Sequence, residues 1–249
     1  MAEMLQTIKG AWKAPELRKK ILFTVFILLI YRLGNAVPVP YVDVAALKEY
    51  FDTTLNSTVL GLYNAMSGSA FSRATVFALS INPYINSSII MQLLCIAIPA
   101  LERLQKDGGE EGRKKIASIT RYVTVGLGLI MGFAYYMLIK NGVNGQSMLT
   151  ADGTGVWPAI VIIMTFMAGS ALIMWMGELI TQRGVGNGMS LIIFTSIVVS
   201  VPSAIFSSIN LQSDLGMGIA TTVFILLIVL VSIPAIIFVE RAQRRIPVS

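Results

Sequence analysis

The sequence predicts an all-helical protein that crosses a membrane several times, and three observations lead to that prediction. The 249 residues are 55% hydrophobic and 13% charged, with a mean hydropathy of +0.74. A soluble domain carries about 25% charged residues. Long stretches of the chain hold no charged residue, and the basic residues gather between alternate stretches. Such a chain cannot supply the polar surface of a water-soluble protein.

Five of the predicted membrane helices fill uncharged gaps of 28, 18, 25, 30 and 25 residues. A helix needs roughly 20 apolar residues to cross a hydrocarbon core of about 30 Å, so each gap holds one span. A sixth span starts near Ile21, where only Arg32 interrupts the apolar run. The six predicted spans lie at about residues 20–37, 76–99, 117–139, 157–177, 189–208 and 216–239.

The distribution of Lys and Arg predicts the orientation in the membrane. If the N-terminus is cytoplasmic, 15 of the 19 basic residues fall in cytoplasmic segments. The outer segments keep only Lys48, Arg73 and Lys140. The excess of positive charge on one side predicts that both termini are cytoplasmic. No small-residue cleavage site follows the first apolar run, so we expect no cleaved signal peptide.

Two stretches depart from a simple helical bundle. Residues 57–72, in the outer segment after the first span, are uncharged, rich in Gly and Ser, and too short to cross a membrane. Composition alone favours a helix lying in the interface, and a re-entrant segment is the alternative. The second span carries Pro83, two Asn and three Ser near its outer half. So many polar groups predict a helix that faces a wet interior.

Small and ionisable residues predict how the later spans meet. Gly128 and Gly132 form a GxxxG pattern in the third span, which is typical of close helix packing. Residues 184–188, Gly-Val-Gly-Asn-Gly, lack the spacing of a nucleotide-binding loop, and we interpret them as a flexible turn between spans four and five. Glu178 would lie at the interface beside that turn. Arg32 is deeper, and needs a partner or a snorkelling route to water.

Four stretches of the sequence, residues 77–94, 112–122, 174–194 and 240–247, resemble signatures of the SecY family, the central subunit of the bacterial protein-conducting channel. The first and third are long and specific. That family has about ten spans in two inverted halves. The resemblance therefore implies one membrane domain over residues 1–249, equivalent to the N-terminal half plus the sixth span, with the family's C-terminal half absent. We expect either a fragment or a product whose partner half is encoded elsewhere.

The resemblance implies that aliphatic side chains form a constriction in a pore. Ile81 and Ile85 of the second span and Ile193 of the fifth match the family's pore-ring positions, and Met189 lies one helical turn before Ile193. A ring of such side chains can seal by dewetting. The spacing of Ile81 and Ile85 puts both on one helix face. Without the resemblance, these residues would be interpreted as ordinary lipid-facing or packing side chains.

The resemblance also implies a plug, polar pore-lining groups and a docking surface. Residues 57–72 match the plug, a short re-entrant helix that fills the outer funnel of the closed channel, and its expected members are Leu60, Leu62, Tyr63, Met66 and Gly68. The polar groups expected to face the pore are Asn82, Asn86, Ser87 and Gln92. The basic residues expected to dock cytoplasmic partners are Arg103, Lys106, Arg113, Lys114, Lys115, Arg241, Arg244 and Arg245.

Composition also restricts the function. Histidine is absent and Cys95 is the only cysteine, which excludes disulfides within the sequence, His-based metal sites and His-dependent catalytic triads. We expect no cofactor and no enzymatic activity. The family's role is to pass unfolded secretory polypeptides across, and membrane segments into, the bacterial cytoplasmic membrane. The resemblance implies SecE and SecG as neighbours, SecA ATPase or the ribosome as the motor, and signal peptides and nascent chains as substrates.

The alternative function is secondary transport of a small solute, because such transporters are also built from inverted repeats and broken helices. A transporter would favour an ion pair or a carboxylate at the middle of the membrane. Only Arg32 is a plausible buried charge in this sequence. The sequence therefore favours the channel over the transporter.

Overall fold

A computed structural model of the protein describes residues 14–55, 58–142, 147–210 and 215–240. The helices are α1 (Pro15–Gly34), α2 (Val44–Tyr50), α3 (Val59–Met66), α4 (Asn82–Ala97), α5 (Pro99–Lys106), α6 (Gly109–Asn141), α7 (Val156–Arg183), α8 (Gly188–Asn210) and α9 (Leu215–Glu240). A π-helical turn, Phe51–Leu55, continues α2, and a 3-10 turn, Ala151–Gly153, precedes α7. The chain forms two compact units, residues 1–198 and 199–249.

Each of the six predicted spans overlaps one helix: α1, α4, α6, α7, α8 or α9. Within the part of the chain that the structure describes, α6 and α7 are long and apolar enough to cross a membrane. Helices α4 and α5 pass the same test as a pair, although they bend by 102° at the break between them. The structure therefore supports two or three spans by length and composition, and the count of six stays a prediction.

The second span begins later than predicted, because α4 starts at Asn82 rather than at residue 76. Pro83 lies in the first turn of α4, where its missing N–H costs no helical hydrogen bond. Residues 67–81, which we call the turn segment, contain no regular helix, yet most of their side chains are buried. Irregular backbone is tolerated at membrane depth only where protein or a water-filled cavity surrounds it.

The turn segment is held by backbone pairing and by aromatic packing. The Val39 N–H donates to the Ala74 carbonyl at 2.9 Å, and the Val76 N–H donates to the Val37 carbonyl at 3.0 Å. The Phe71 ring stacks on the Tyr135 ring of α6, with 4.2 Å between centroids. The Tyr135 hydroxyl also donates to the Phe71 carbonyl. These contacts fix the segment at the centre of a buried apolar cluster.

Glycines let the helices of the first unit approach closely. A Cβ atom on Gly132 of α6 would lie 3.3 Å from the Ile163 carbonyl oxygen of α7. A Cβ atom on Gly128 would lie 2.8 Å from the Ser170 hydroxyl. The close packing predicted from the GxxxG pattern is therefore confirmed. Gly169, on α7, makes a similar backbone contact with the turn segment, where a methyl group would overlap a carbonyl.

The second unit contains residues 199–210 of α8 and all of α9. Pro202 lies inside α8 and Pro234 inside α9. The described side chains of α9 are almost all exposed within the structure, including Phe238 and Val239. Exposed aliphatic and aromatic side chains along such a helix suit contact with lipid or with other membrane helices.

We expect Gly169→Ala to lower the thermal stability of the chain in detergent, followed by tryptophan fluorescence. The new methyl group would overlap the Val76 carbonyl, so the backbone must shift, and overpacking of this kind costs about 1–3 kcal/mol. Gly126→Ala is the matched control, since nothing lies within 4 Å of its Cβ position on α6. Equal melting temperatures for the two variants would contradict the close contact.

Candidate pore constriction

An apolar cluster forms where α1, the turn segment, α7 and α8 meet. We call it the inner cluster, and its buried members are Ile27, Tyr31, Phe77, Ile81, Ile173, Met176, Ile180 and Ile192. The side chains of Ile173, Ile180 and Ile192 are fully buried. Ring stacking between Tyr31 and Phe77, with centroids 5.7 Å apart, joins α1 to the turn segment.

The structure brings all four residues predicted for the constriction to the inner cluster. Ile81 is a member, with 2% of its surface exposed, and Ile85, Met189 and Ile193 pack against it while partly buried. Ile81 caps α4, and the Ile85 N–H donates to the Ile81 carbonyl at 3.1 Å. Sequence reasoning missed Ile192, because neighbouring isoleucines on one apolar helix cannot be ranked without its packing partners.

The predicted turn between α7 and α8 is present, but hydrogen bonds hold it at both ends, so the flexibility expected from its glycines is corrected. The Val185 N–H donates to the Thr24 hydroxyl of α1 at 3.1 Å, and the Gly188 N–H donates to the Thr181 hydroxyl at 2.9 Å. The Asn187 side chain accepts from the Met189 N–H at 3.0 Å and so caps α8. These bonds fix the start of the helix that carries Met189.

The polar residues predicted to line the pore differ in how far they are buried. Asn86 and Gln92 are exposed on α4, and Asn82 is buried at the start of the helix. Among the described residues, no group bonds the Asn82 side-chain nitrogen. Such an unsatisfied group is costly unless water reaches it.

Ser87 requires a correction, because it faces a neighbouring helix. Its side chain is fully buried, and its hydroxyl lies 2.6 Å from the Thr124 hydroxyl of α6. The Ser87 hydroxyl oxygen also lies 3.4 Å from the Thr120 carbonyl oxygen. The residue joins α4 to α6. Ser87 is therefore not expected to line a pore. Adjacent residues of a helix are rotated by about 100° from each other, so Ser87 points in a different direction from Asn86.

The predicted plug contains α3, which covers Val59–Met66 of the expected residues 57–72. Residues 56 and 57 lie outside the described residues. No side chain of α3 is fully buried: Leu60, Tyr63 and Met66 are partly covered, and Leu62 is 64% exposed. Leu60 and Tyr63 line an apolar cavity of 310 Å³ between α3 and α6. A helix with so little buried surface is held mainly by the segments at its ends.

The backbone after α3 turns sharply at Gly68. Its φ of +66° lies in the left-handed region that favours glycine. A Cβ atom there would lie 3.0 Å from the Ser196 carbonyl oxygen of α8, so Gly68 lets the end of the predicted plug rest directly on α8.

Charged residues of α5, α6 and α7 form two ion pairs in the described part of the chain. Arg121 of α6 bonds Glu178 of α7, with 2.8 Å between Nε and Oε1. Sequence analysis placed Glu178 at the interface but did not identify its partner, because 57 positions separate the two residues. Lys106 bonds Glu102 at 2.6 Å, and that hydrogen bond raises the pKa of Lys106.

Most of the basic residues predicted for docking are exposed. Those in the described part of the chain are Arg103, Lys106, Arg113, Lys114 and Lys115. Arg241, Arg244 and Arg245 lie outside the described residues. Arg32 is exposed in the last turn of α1, so it is not the buried charge that the sequence analysis considered.

Long apolar helices, a broken helix pair and a buried irregular segment define a helical membrane protein. The SecY family model matches residues 75–249 of this chain. The protein translocase subunit SecY of Streptomyces scabiei is 43% identical over 99% of this chain and 57% of its own length. The corresponding subunit of Helicobacter pylori is 44% identical over 92% of this chain and 54% of its own. The chain belongs to the SecY family.

The fold is also similar to a solved structure. Sec61 in the canine ribosome-channel complex from the endoplasmic reticulum matches 93% of this chain and 50% of its own, with a TM-score of 0.56 and 15% identity. At that identity the match confirms the helical fold alone. The chain spans about half the length of the curated relatives it matches.

We expect Ser87→Ala to destabilise the chain, because it leaves the Thr124 hydroxyl without its partner on α4. Hydrogen bonds between membrane helices are worth about 0.6 kcal/mol on average and reach about 1.7 kcal/mol. Thermal unfolding in detergent measures the change. Thr165→Val is the control, since that hydroxyl bonds the Val161 carbonyl within its own helix. A control that costs as much as Ser87→Ala would contradict the joining role.

Proposed function

We propose that the chain supplies about half of the wall of a protein-conducting channel, with six membrane spans and a re-entrant plug over residues 57–72. The channel passes unfolded secretory polypeptides across the membrane and membrane segments into it. The observation that carries the proposal is the position of Ile81, Ile85, Met189 and Ile193, which lie in or pack against the inner cluster from the end of the turn segment, α4 and α8. Membership of the SecY family supports it.

The physical need for such a site follows from the substrate. A charged side chain costs roughly 2.5–3.5 kcal/mol at the middle of a bilayer, by insertion scales. A wet conduit removes that cost but must not leak ions at rest. Aliphatic side chains can close by dewetting and separate around a passing chain. The exposed amides of Asn86 and Gln92, on the same helix as Ile85, suit a wet wall next to such a seal.

The proposed location is the bacterial cytoplasmic membrane, with both termini on the cytoplasmic side. The exposed basic residues Arg103, Arg113, Lys114 and Lys115 then form a cytoplasmic surface. Because the sequence contains no nucleotide-binding loop, the work of translocation comes from partners. We propose SecA ATPase or the ribosome as motor, and SecE and SecG as neighbouring subunits. A Sec61 relative of this fold sits in a ribosome-channel complex.

Secondary transport is less well supported than a channel. A transporter concentrates charges around a site at the middle of the membrane. Of the two ion pairs of the described residues, Arg121–Glu178 lies at the ends of the predicted spans 117–139 and 157–177, and Lys106–Glu102 lies outside the predicted spans and is substantially exposed.

Crosslinking tests the pore. With Cys95 replaced by Ala and the rest of the family's length supplied as a second chain, single cysteines at positions 81, 85 and 193 should crosslink a stalled secretory polypeptide. Cysteine at Leu29, on the exposed face of α1, is the control and should give no adduct. Adducts at position 29 alone would contradict the pore assignment. The chain without that second half should not conduct.

Labelling tests the orientation. In right-side-out membranes, a membrane-impermeant thiol reagent should label a cysteine at Thr53, in the proposed outer segment, and not one at Lys115. Both side chains are exposed, so burial does not bias the comparison. The reverse pattern would place the termini outside and overturn the topology derived from positive charge.

A further inference from the structure

A buried pair of hydroxyl groups connects the first span to the helix that supports the end of the proposed plug. The Tyr31 and Ser196 side-chain oxygens are 2.7 Å apart, and both residues are almost fully buried. The Ser196 hydroxyl donates to the Ile192 carbonyl at 2.9 Å, so Tyr31 is the donor within the pair. The pair spans 165 positions of sequence, which makes it a tertiary contact between α1 and α8.

Hydrogen bonds join helix α3 to the start of the turn segment. The Ser72 N–H donates to the Asn64 side chain at 2.9 Å, and the Phe71 N–H donates to the Ser67 hydroxyl at 3.1 Å. The Ser69 N–H donates to the Asn64 carbonyl at 2.9 Å. These bonds connect the last turn of α3 to the residues that follow it. We call residues 59–72 the plug arm.

The plug arm rests on α8 at the residue that Tyr31 bonds. Gly68, in the middle of the arm, lies against the backbone of Ser196. Phe71 makes a second contact that holds the arm, because its ring stacks on the Tyr135 ring. Because α3 itself has no fully buried side chain, the arm is held mainly by the buried residues that follow α3, and the contacts of Gly68 and Phe71 are two of these. Movement of Ser196 away from α1 would remove the surface on which Gly68 sits.

We propose that the Tyr31–Ser196 hydroxyl pair is a latch that holds the plug arm in its resting position. The proposal rests on the proposed function, since it assumes that α3 is the plug. Ser196 lies one turn beyond Ile192 and Ile193, so the latch connects the arm to the same helix that supplies the constriction. Tyr31 and Ser196 act as positioning residues, and neither needs to touch a passing polypeptide.

Distance measurements between spin labels test the latch in the chain at rest. Labels at Leu62 on the arm and at Leu33 on α1 occupy exposed positions, 64% and 69% exposed, and the buried Cys95 is replaced by Ala. Tyr31→Phe keeps the ring stacked on Phe77 and removes only the hydroxyl. We expect the displaced population of the arm to rise about three- to tenfold, the equivalent of one buried hydrogen bond.

The second variant and the controls keep the test decisive. Ser196→Ala should give the same change as Tyr31→Phe, and the double variant should give no more than either alone, because both remove one bond. Tyr122→Phe removes an exposed hydroxyl, and Thr195→Val removes one that bonds within α8. Neither control should move the arm. Unchanged distances in both single variants, additive effects, or an equal change in Thr195→Val would each overturn the latch.

This experiment is separate from the test of the pore. It uses no secretory polypeptide and no second half, so a failure of crosslinking at positions 81, 85 and 193 leaves the distances measurable. A failure of the latch likewise leaves the pore assignment standing.

Discussion

The first unit depends on one constraint, the satisfaction of backbone polar groups in the turn segment. Residues 67–81 lack a helix, so their N–H and carbonyl groups must find partners elsewhere. The extended residues 37–39 supply part of the pairing, and Tyr135 supplies a side-chain donor to Phe71. Other helices then accommodate the segment, since Gly34 of α1 and Gly169 of α7 each lie against it where a Cβ atom would overlap.

The same constraint explains why α4 is short and bent. Its start is displaced to Asn82 because the preceding residues are used for the turn segment. Its end is fixed by Pro99, which cannot continue the helix and forces Ile98 into an extended conformation, with φ −108° and ψ 111°. Helix α5 therefore leaves at 102°. Non-helical backbone therefore lies at both ends of α4. Such backbone is where a constriction or a surface helix can form.

Much of the helical pattern could be predicted from the sequence, because charge-free length is a direct consequence of the membrane. The GxxxG contact was also predictable, since small residues four apart on one helix face have few other uses. The start of α4 could not be predicted from the sequence, because a buried apolar segment without a helix has the same hydropathy as a buried helix. Ser87 shows the corresponding limit for side chains. Composition indicates that α4 carries polar groups, but only the position of α6 decides which of Asn86 and Ser87 is covered.

The contacts of α8 differ on its two sides, and the difference bears on how a channel could open. Toward α7, Gly188 and Gly177 bring the two backbones into contact, and Met189 and Ile192 pack beside them. Toward the plug arm, Gly68 lies against the Ser196 backbone and contributes no side chain to that contact. A glycine contact without side-chain interdigitation buries little apolar area, and separation costs correspondingly little. Under the proposed function, α8 keeps its contacts with α7 at Gly188 while a shift of Ser196 away from α1 releases the arm, so the wall of the channel persists when the plug moves.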